Sequence, residues 1–451
     1  MALERNDTIC AIATPPGIGG VGVIRVSGPE VPTIAKQLTK KDLKPRLAAH
    51  TLILSETGQT IDDGIVIYFP NPKSFTGEDV LEIQGHGSPV VMDMLIDRLN
   101  DLGARLARPG EFSERAFLNG KIDLTQAEAI ADLIESSTQQ SARAALRSLS
   151  GEFSQQVHDL VDQLIYIRTY IESAIDFPEE EIDFLAESDM ALRIEKLKKD
   201  LLLLLNRAKQ GRLLRDGMNI VLAGSPNVGK SSLLNKLAGY DAAIVTDIAG
   251  TTRDTLKEHI SIDGMPVHII DTAGIRETDD VVEQEGMKRT WGAIEKADRI
   301  LLIIDSDQNL HQAVEDIHKK LPENLPVTIV RNKIDKDGKQ PQVITTEDAT
   351  EVFLSAKTGE GIELLCEHLK ETMGYHETED GDFIARRRHL NSLNNALLSI
   401  EQAQQQFEMD MAGELAAEDL RIAQQHLNQI TGEFTSDDLL GEIFSSFCIG
   451  K

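Results

Sequence analysis

Gly224-Ser225-Pro226-Asn227-Val228-Gly229-Lys230-Ser231 fits the pattern G-x-x-x-x-G-K-[ST]. The apolar run Ile220-Val221-Leu222 precedes it and Ser232-Leu233-Leu234 follows, so the stretch reads as strand, loop and helix. That order is what phosphate binding needs. Backbone N–H groups of the loop face an anion at a helix N-terminus. Lys230 reaches the β- and γ-phosphates of a nucleotide, and the Ser231 hydroxyl coordinates Mg²⁺.

Three further segments follow in the order such a site requires. Asp271-Thr272-Ala273-Gly274 comes after the apolar run Ile269-Ile270; its Asp holds Mg²⁺ through water and the Gly274 N–H senses the γ-phosphate. Asn332-Lys333-Ile334-Asp335 follows the run ending at Val330. A carboxylate there accepts both N–H groups on the Watson–Crick edge of guanine, an arrangement adenine lacks. Ser355-Ala356-Lys357 fits the third base-side element. Together they specify GTP and exclude ATP. One threonine of Thr251-Thr252 is the expected switch ligand of Mg²⁺, and Thr252 is the choice. Ile275 stands where many switch GTPases place a water-orienting glutamine, and an aliphatic side chain cannot position a water. Glu283 is the best downstream candidate for that task; as a first-turn helix glutamate it would serve only the helix dipole.

Around these motifs, apolar runs alternate with helical stretches: Ile220-Val221-Leu222, Val267-His268-Ile269-Ile270, Ile300-Leu301-Leu302-Ile303-Ile304 and Val327-Thr328-Ile329-Val330. This is the signature of βαβ units and a mostly parallel sheet. Residues 1 to about 120 read instead as an α+β unit, with strands at Ile61 to Phe69 and Val80 to Ile83 and a helix from Asp93 to Leu102. From Leu124 to about Leu214 apolar residues recur at helical spacing, broken at the acidic Asp176-Phe177-Pro178-Glu179-Glu180-Glu181, read as a solvated loop. Helical spacing returns after Arg386 at Leu390, Leu393, Ala396 and Leu397. The simplest architecture inserts the α/β part between two helical segments that pack on each other. The expected boundaries are 1–121, 122–215, 216–375 and 376–451.

Composition agrees with a folded chain. Of 451 residues, 41% are hydrophobic and 27% charged, which argues against disorder. Aromatics are only 4%, so the cores rely on Leu, Ile, Val and Ala. The formal net charge of −28 repels nucleic acid over most of the surface, so an RNA contact needs a local basic patch or a partner protein. Cys10, Cys366 and Cys448 are far apart and form no disulfide or zinc pattern. The first residues show no signal peptide, and the longest aliphatic run, Leu201 to Leu205, is too short to span a membrane. The expectation is a soluble cytoplasmic protein.

Several blocks are more specific than the nucleotide motifs. They are Ala13-Thr14-Pro15-Pro16-Gly17 with Gly19-Gly20-Val21-Gly22, Phe75-Thr76-Gly77-Glu78-Asp79, Gly85-His86-Gly87, Arg108-Pro109-Gly110-Glu111-Phe112-Ser113 and Phe447-Cys448-Ile449-Gly450-Lys451. With them the chain resembles, over essentially its whole length, the MnmE (TrmE) family of tRNA modification GTPases. The resemblance implies a multidomain α+β and α/β fold: an N-terminal folate-binding and dimerising domain, a split helical domain and an inserted P-loop GTPase (Ras-like) domain. It implies a homodimer that works with the flavoprotein MnmG, FAD being on that partner. Together they modify C5 of the wobble uridine of certain tRNAs with an aminomethyl-type group, the one-carbon unit coming from a tetrahydrofolate derivative. It implies K⁺ in the GTP site, held by Asn227 and by the loop Thr246-Asp247-Ile248-Ala249-Gly250-Thr251, with backbone oxygens at Thr246, Ile248 and Thr251. A monovalent cation there would stabilise developing phosphate charge without an arginine finger. It also gives Glu283 the water-orienting role, and it maps folate binding onto Arg25, Glu82 and Lys121, with Lys451 nearby. Read without the resemblance, those three charges are surface charges. His86 is either catalytic or a turn residue. Cys448 is a nucleophile, a folate-site contact, or a small apolar residue packing with Phe444 and Phe447.

A ribosome-assembly switch of the Era or Der type would share the phosphate loop but leaves the first 120 residues and the Cys-Ile-Gly-Lys end unexplained. A folate-dependent one-carbon transferase in which GTP only regulates, and a GTP-gated scaffold without chemistry of its own, are the readings from other classes.

Overall fold

A computed structural model describes residues 7–176, 189–239, 257–271, 294–295, 297–308, 325–346, 349–376, 383–407, 413–433, 437–445, 447–448 and 450. It divides into two compact units, Met1–Ala131 with Gln425–Lys451, and Asp132–Gln424. The acidic stretch 177–181 lies outside the described residues.

The first unit is built on β1 (Thr8–Ile12), β2 (Gly22–Ser27), α1 (Val31–Thr39), β3 (Ala49–Leu54), β4 (Thr60–Phe69), β5 (Val80–Gly85), α2 (Pro89–Asp101), β6 (Ala104–Leu106) and α3 (Glu111–Leu118). The strands form one sheet in the order β3-β4-β5-β2-β1-β6, antiparallel except where β6 joins β1. Alternation along β2, β4 and β5 turns Ile24, Val26, Val66, Leu81 and Ile83 toward α1 and α2, where Ile34, Leu38, Leu95 and Leu99 complete the core. On the other face Ile9, Ala11, Ala107 and Phe112 pack with Phe75. The expected helix from Asp93 starts four residues earlier: Ser88 is the N-cap and Pro89 opens the first turn, where its missing N–H costs nothing.

Next come α4 (Leu124–Glu135), α5 (Gln139–Leu149), α6 (Glu152–Asp176) and α7 (Met190–Asp216). They are followed by β7 (Met218–Ala223), α8 (Lys230–Ala238), β8 (Lys257–Ile262), β9 (Met265–Asp271), β10 (Arg299–Asp305), β11 (Val327–Asn332), α9 (Ile334–Asp337), β12 (Gln342–Thr345), β13 (Thr350–Phe353) and α10 (Ile362–Met373). The described chain finishes with α11 (Arg387–Gln405), α12 (Gly413–Thr431) and α13 (Asp437–Ser445).

In the second unit seven strands are ordered β12-β13-β11-β10-β7-β9-β8. The five inner strands are parallel and both edges antiparallel. Ile300 to Ile304 are all buried, as the uninterrupted apolar run requires of a strand covered on both faces. α7, which leads into β7, packs on α11, which follows the sheet; Lys198 pairs with Glu401 at 2.9 Å. Phe383 stacks on Phe153 of α6 with ring centroids 4.5 Å apart. Asp132 is buried and accepts from Arg215 (2.8 Å) at the end of α7 and from Arg386 (2.7 Å) at the start of α11. One carboxylate therefore ties the chain where it enters the sheet to the chain where it leaves.

In the first unit α13 packs on α3. Phe117 and Phe444 have ring centroids 6.2 Å apart, and Leu124, Ala127, Ile443 and Phe447 share their cluster.

Candidate functional site

The loop between β7 and α8 is shaped by contacts that exclude side chains. Gly224 has φ +148°, and a Cβ on it would fall 2.3 Å from the Ile303 carbonyl oxygen. Gly229 has φ +105°, and its Cβ would fall 2.3 Å from Asn332 Nδ2. Asn227 also adopts φ +66°, a conformation asparagine tolerates better than most residues. Val228 is buried in the core beneath the loop. Lys230 Nζ donates to the carbonyls of Gly224 (2.8 Å) and Ser225 (3.1 Å), which holds the ammonium over the loop. Ser231 and Ser232 stand exposed in the first turn of α8. The result is a glycine-shaped loop at a helix N-terminus with an ammonium and a hydroxyl beside it: donors for phosphate, and an oxygen ligand fit for Mg²⁺.

Asn332, at the end of β11, binds the separate segments together. It is 2% exposed. Its Nδ2 donates to Val228 O (2.7 Å), and its Oδ1 accepts from Lys333 N (2.8 Å) and Ala356 N (2.8 Å). Lys333, at φ +69°, sends Nζ to Asn227 O (2.9 Å) and pairs with Asp305 (2.7 Å). Ser355 Oγ donates to Asp335 Oδ1 (2.7 Å), orienting the carboxylate expected to read guanine. Ala356 is buried and Lys357 exposed. The phosphate loop and both base-side segments are thus joined by side-chain bonds. The sequence reading counted Asn332 and Lys333 with Asp335 in the nucleotide-binding set and missed the tie that the Asn332 side chain makes between segments. Asp271 closes β9 opposite Leu222 of β7. Its side chain lies outside the described residues, as do Thr246, Asp247, Ile248, Ala249, Gly250, Thr251, Thr252, Thr272, Ala273, Gly274 and Glu283.

In the first unit Arg25 and Glu82 are register neighbours on β2 and β5. Both Arg25 bonds, from Nη2 (2.9 Å) and Nε (3.2 Å), go to Glu82 Oε1. The guanidinium lies 5.2 Å from the Phe75 ring centroid and 5.8 Å from that of Phe112. The pair is half-buried, which corrects the reading of these two residues as surface charges. Lys121 remains exposed and donates to Pro72 O (3.1 Å), at the start of the turn that carries Phe75. Lys451 lies outside the described residues. A carboxylate whose Oε2 takes neither Arg25 bond and a guanidinium beside two rings suit a flat group with N–H donors, and the Lys121 ammonium, held against the turn that carries Phe75, suits an anion.

The Phe75 turn is held by buried ions. Glu111 accepts from Arg105 (2.6 and 2.8 Å), Arg115 (3.1 Å) and Arg108 N (2.8 Å). Burial alone would raise its carboxyl, but these donors, Arg105 foremost, hold it at about 2. Arg115 also binds Glu78 (3.1 Å), which accepts from Ser27 Oγ (2.7 Å). Three arginines and two glutamates within 105–115 were the sequence signal for this network, and the reading did not use it.

His86 is bound to Asp62, whose carboxylate faces its Nδ1 (2.7 Å) and accepts its backbone N–H (2.8 Å). The hydrogen bond to Asp62 raises the imidazole above its ordinary value. Burial pushes the Asp62 carboxyl up, but the bonds from the His86 ring and N–H outweigh it and leave it lowered. Gly85 permits this approach, since a Cβ there would fall 2.3 Å from Asp62 Oδ2.

Cys448 is exposed, while Phe444 and Phe447 are buried. The alternative in which the thiol packs with those rings is therefore not met. Its backbone is held, the carbonyl accepting from Gly110 N (3.3 Å).

Comparison with known proteins covers nearly the whole chain. A family model described as GTP-binding protein TrmE N-terminus matches residues 8–121, and one described as MnmE helical domain matches 124–448. The chain is similar to the tRNA modification GTPase MnmE of Hydrogenovibrio crunogenus, at 57% identity over all of both chains. It is similar to those of Vibrio cholerae serotype O1 strain El Tor Inaba N16961 and Pasteurella multocida, each at 57% identity over 99% of this chain and 100% of the relative. The chain belongs to the MnmE, or TrmE, family.

Proposed function

We propose that this chain is a GTP hydrolase that takes part in tRNA modification. With a flavoprotein of the MnmG type it modifies C5 of the wobble uridine of certain tRNAs, using a one-carbon unit from a tetrahydrofolate derivative. The observation that carries the GTP reading is the Asn332 side chain, which ties the phosphate loop to the two segments that read the base. The tRNA reading rests on the names of relatives that match from end to end.

Lys230 and the loop N–H groups bind and orient the β- and γ-phosphates, and Asp335, aimed by Ser355, selects guanine. Glu283 orients the water that attacks the γ-phosphorus; the bond to the β–γ bridging oxygen breaks and GDP leaves. Ser231 and Thr252 would hold Mg²⁺, and Asn227 with Thr246, Ile248 and Thr251 would hold K⁺; bound there, the cations offset developing phosphate charge. Asn227 suits that part because it is exposed at the loop rim. Arg25 and Glu82 bind the folate, with Lys121 and Lys451 at its edge, and Cys448 contributes to chemistry beside it. The working form is a cytoplasmic homodimer paired through the N-terminal part, the domains dividing at 1–121, 122–215, 216–375 and 376–451.

The test has two arms. Titration with GDP, a GTP analogue and an ATP analogue should show binding of guanine nucleotides only. Nucleoside analysis of tRNA from cells lacking the protein should show loss of the C5-modified wobble uridine. Equal ATP binding would end the GTP reading, and unchanged uridines would end the tRNA reading.

A further inference from the structure

β8 and β9 form a ribbon paired without a break from Lys257↔Ile270 to Ile262↔Met265. At ~3.4 Å per residue, six pairs make a rod of about 20 Å. The turn at its tip is Asp263-Gly264, both with positive φ (48° and 84°), which suits a tight two-residue hairpin. β8 is the edge strand and meets the sheet only through β9. A shift of β8 therefore strains only its ladder with β9, since no other described strand pairs with it.

The two ends of the ribbon face different tasks. Its open end continues into the chain that carries Thr251-Thr252 on one side and Asp271-Thr272-Ala273-Gly274 on the other. Its tip is gripped by side chains from outside the sheet. Thr138, the N-cap of α5, donates Oγ1 to Gly264 O (2.9 Å) while accepting Ser141 N (3.0 Å). The Gln140 amide fills the space beside Gly264, where a Cβ would fall 1.9 Å from its Oε1. The Tyr375 hydroxyl, after α10, lies 2.8 Å from Gln140 Oε1 and 3.1 Å from Asp263 O. Lys370 pairs with Asp263. Behind the tip, Ile260, Ile262, Met265 and Val267 share one core with Ala144 and Ala145 of α5 and Leu213 and Leu214 of α7.

We propose that this hairpin is the lever that carries nucleotide state to the helices of its unit, with Thr138, Gln140 and Tyr375 as the positioning residues that seize its tip. The proposal rests on the GTP reading above. A ligand shifts a conformational equilibrium only through contacts that differ between the two states. The nucleotide's own differing contacts would act at the open end, and the grip on Asp263 and Gly264 is what passes the difference to α5. β9 is held in the sheet by β7, so a displacement at the open end is passed along the edge strand β8 to the turn, and the capping residue of α5 must follow or release it. Both outcomes alter the first turn of α5, because the same Thr138 hydroxyl caps it.

The experiment uses the full chain and hydrogen–deuterium exchange over residues 139–149, with GDP and with a non-hydrolysable GTP analogue. In the unaltered protein, exchange there should differ between the two nucleotides by about fivefold or more, the lower range of common coupling energies. Tyr375→Phe and Thr138→Val should reduce that difference to less than about twofold, with nucleotide affinity and GTP turnover unchanged within the same margin. Thr138→Ser, which keeps the hydroxyl, should restore it. A purely structural clasp would change exchange equally in both nucleotide states, so the nucleotide-dependent difference is the deciding quantity. The lever is refuted if α5 exchange in the unaltered protein ignores the nucleotide, or if both variants keep the difference. Failure to bind GTP at all would show in the accompanying titration and would overturn the GTP reading itself.

Discussion

Replacing Asn332 by alanine should weaken nucleotide binding from a position that need not touch the nucleotide. The substitution deletes three hydrogen bonds at once. Two of the abandoned groups, Val228 C=O and Ala356 N–H, belong to residues only 5% and 2% exposed, so water reaches them poorly. Leaving a buried polar group without a partner costs about 1–3 kcal/mol, so the pair costs about 2–6 kcal/mol. Part of that appears as lower stability. The rest appears as affinity, because the phosphate loop and the Ser355 turn relax apart in the free protein and must be drawn together again around GTP. If only about 2 kcal/mol reaches the binding step, the dissociation constant rises about 30-fold. The assay is a fluorescent-GDP titration beside a thermal melt. An affinity within about threefold of the unaltered protein, with no fall in melting temperature, would refute the tie.

Asp335→Asn should move preference from GTP toward xanthosine triphosphate, because xanthine carries a carbonyl where guanine has its amino group; competition binding checks it, and unchanged GTP preference counts against the base-reading segment. GTP turnover should be faster in K⁺ than in Na⁺ at matched ionic strength, and Asn227→Ala should abolish the difference. Glu283→Ala should slow single-turnover hydrolysis by ~10²–10⁴ with affinity nearly intact, as expected when a group acts only in the transition state. By NMR, His86 should titrate above the ordinary imidazole value of about 6.5, and Asp62→Asn should bring it back down. With His86 raised, its stabilising effect is complete below the unfolded value and lost as pH rises through the folded one. With Asp62 lowered, its effect is lost as pH falls through its own folded value, so the pair contributes most between the two.

The second unit's sheet was legible because its strands are continuous apolar runs bounded by motif residues, and the phosphate loop because glycine spacing follows directly from backbone sterics. Pairings between distant residues were not. Asn332 and Val228 belong to separate runs, and nothing in either run states that a side chain closes the gap. Arg25 and Glu82 look like surface charges until register places them side by side. Helical spacing near the C-terminus announces helices but not their partners. That Gln425–Lys451 joins the first unit had no periodic signal, since an apolar stripe does not name the surface it will cover. Cys448 was ambiguous for the same reason: its apolar neighbours turn inward and it does not.

The seating of Phe444, Phe447 and Gly450 has a consequence for biosynthesis. Gly110 lies so close to Phe444 that a Cβ would fall 2.4 Å from the Phe444 oxygen, and Gly450 lies as closely against the Ile12 oxygen, at 2.6 Å. Phe117, Leu124 and Ala127 are covered by the same late segment. These partners leave the ribosome roughly 320 to 440 residues apart, which at about 5–20 residues per second is a wait of roughly 15–90 s. Through that interval the apolar surface of Phe117, Leu124 and Ala127 lacks the cover that α13 gives it in the folded unit. The nascent chain should therefore be a chaperone client until α13 emerges, and slowing translation between the two should lengthen that dependence.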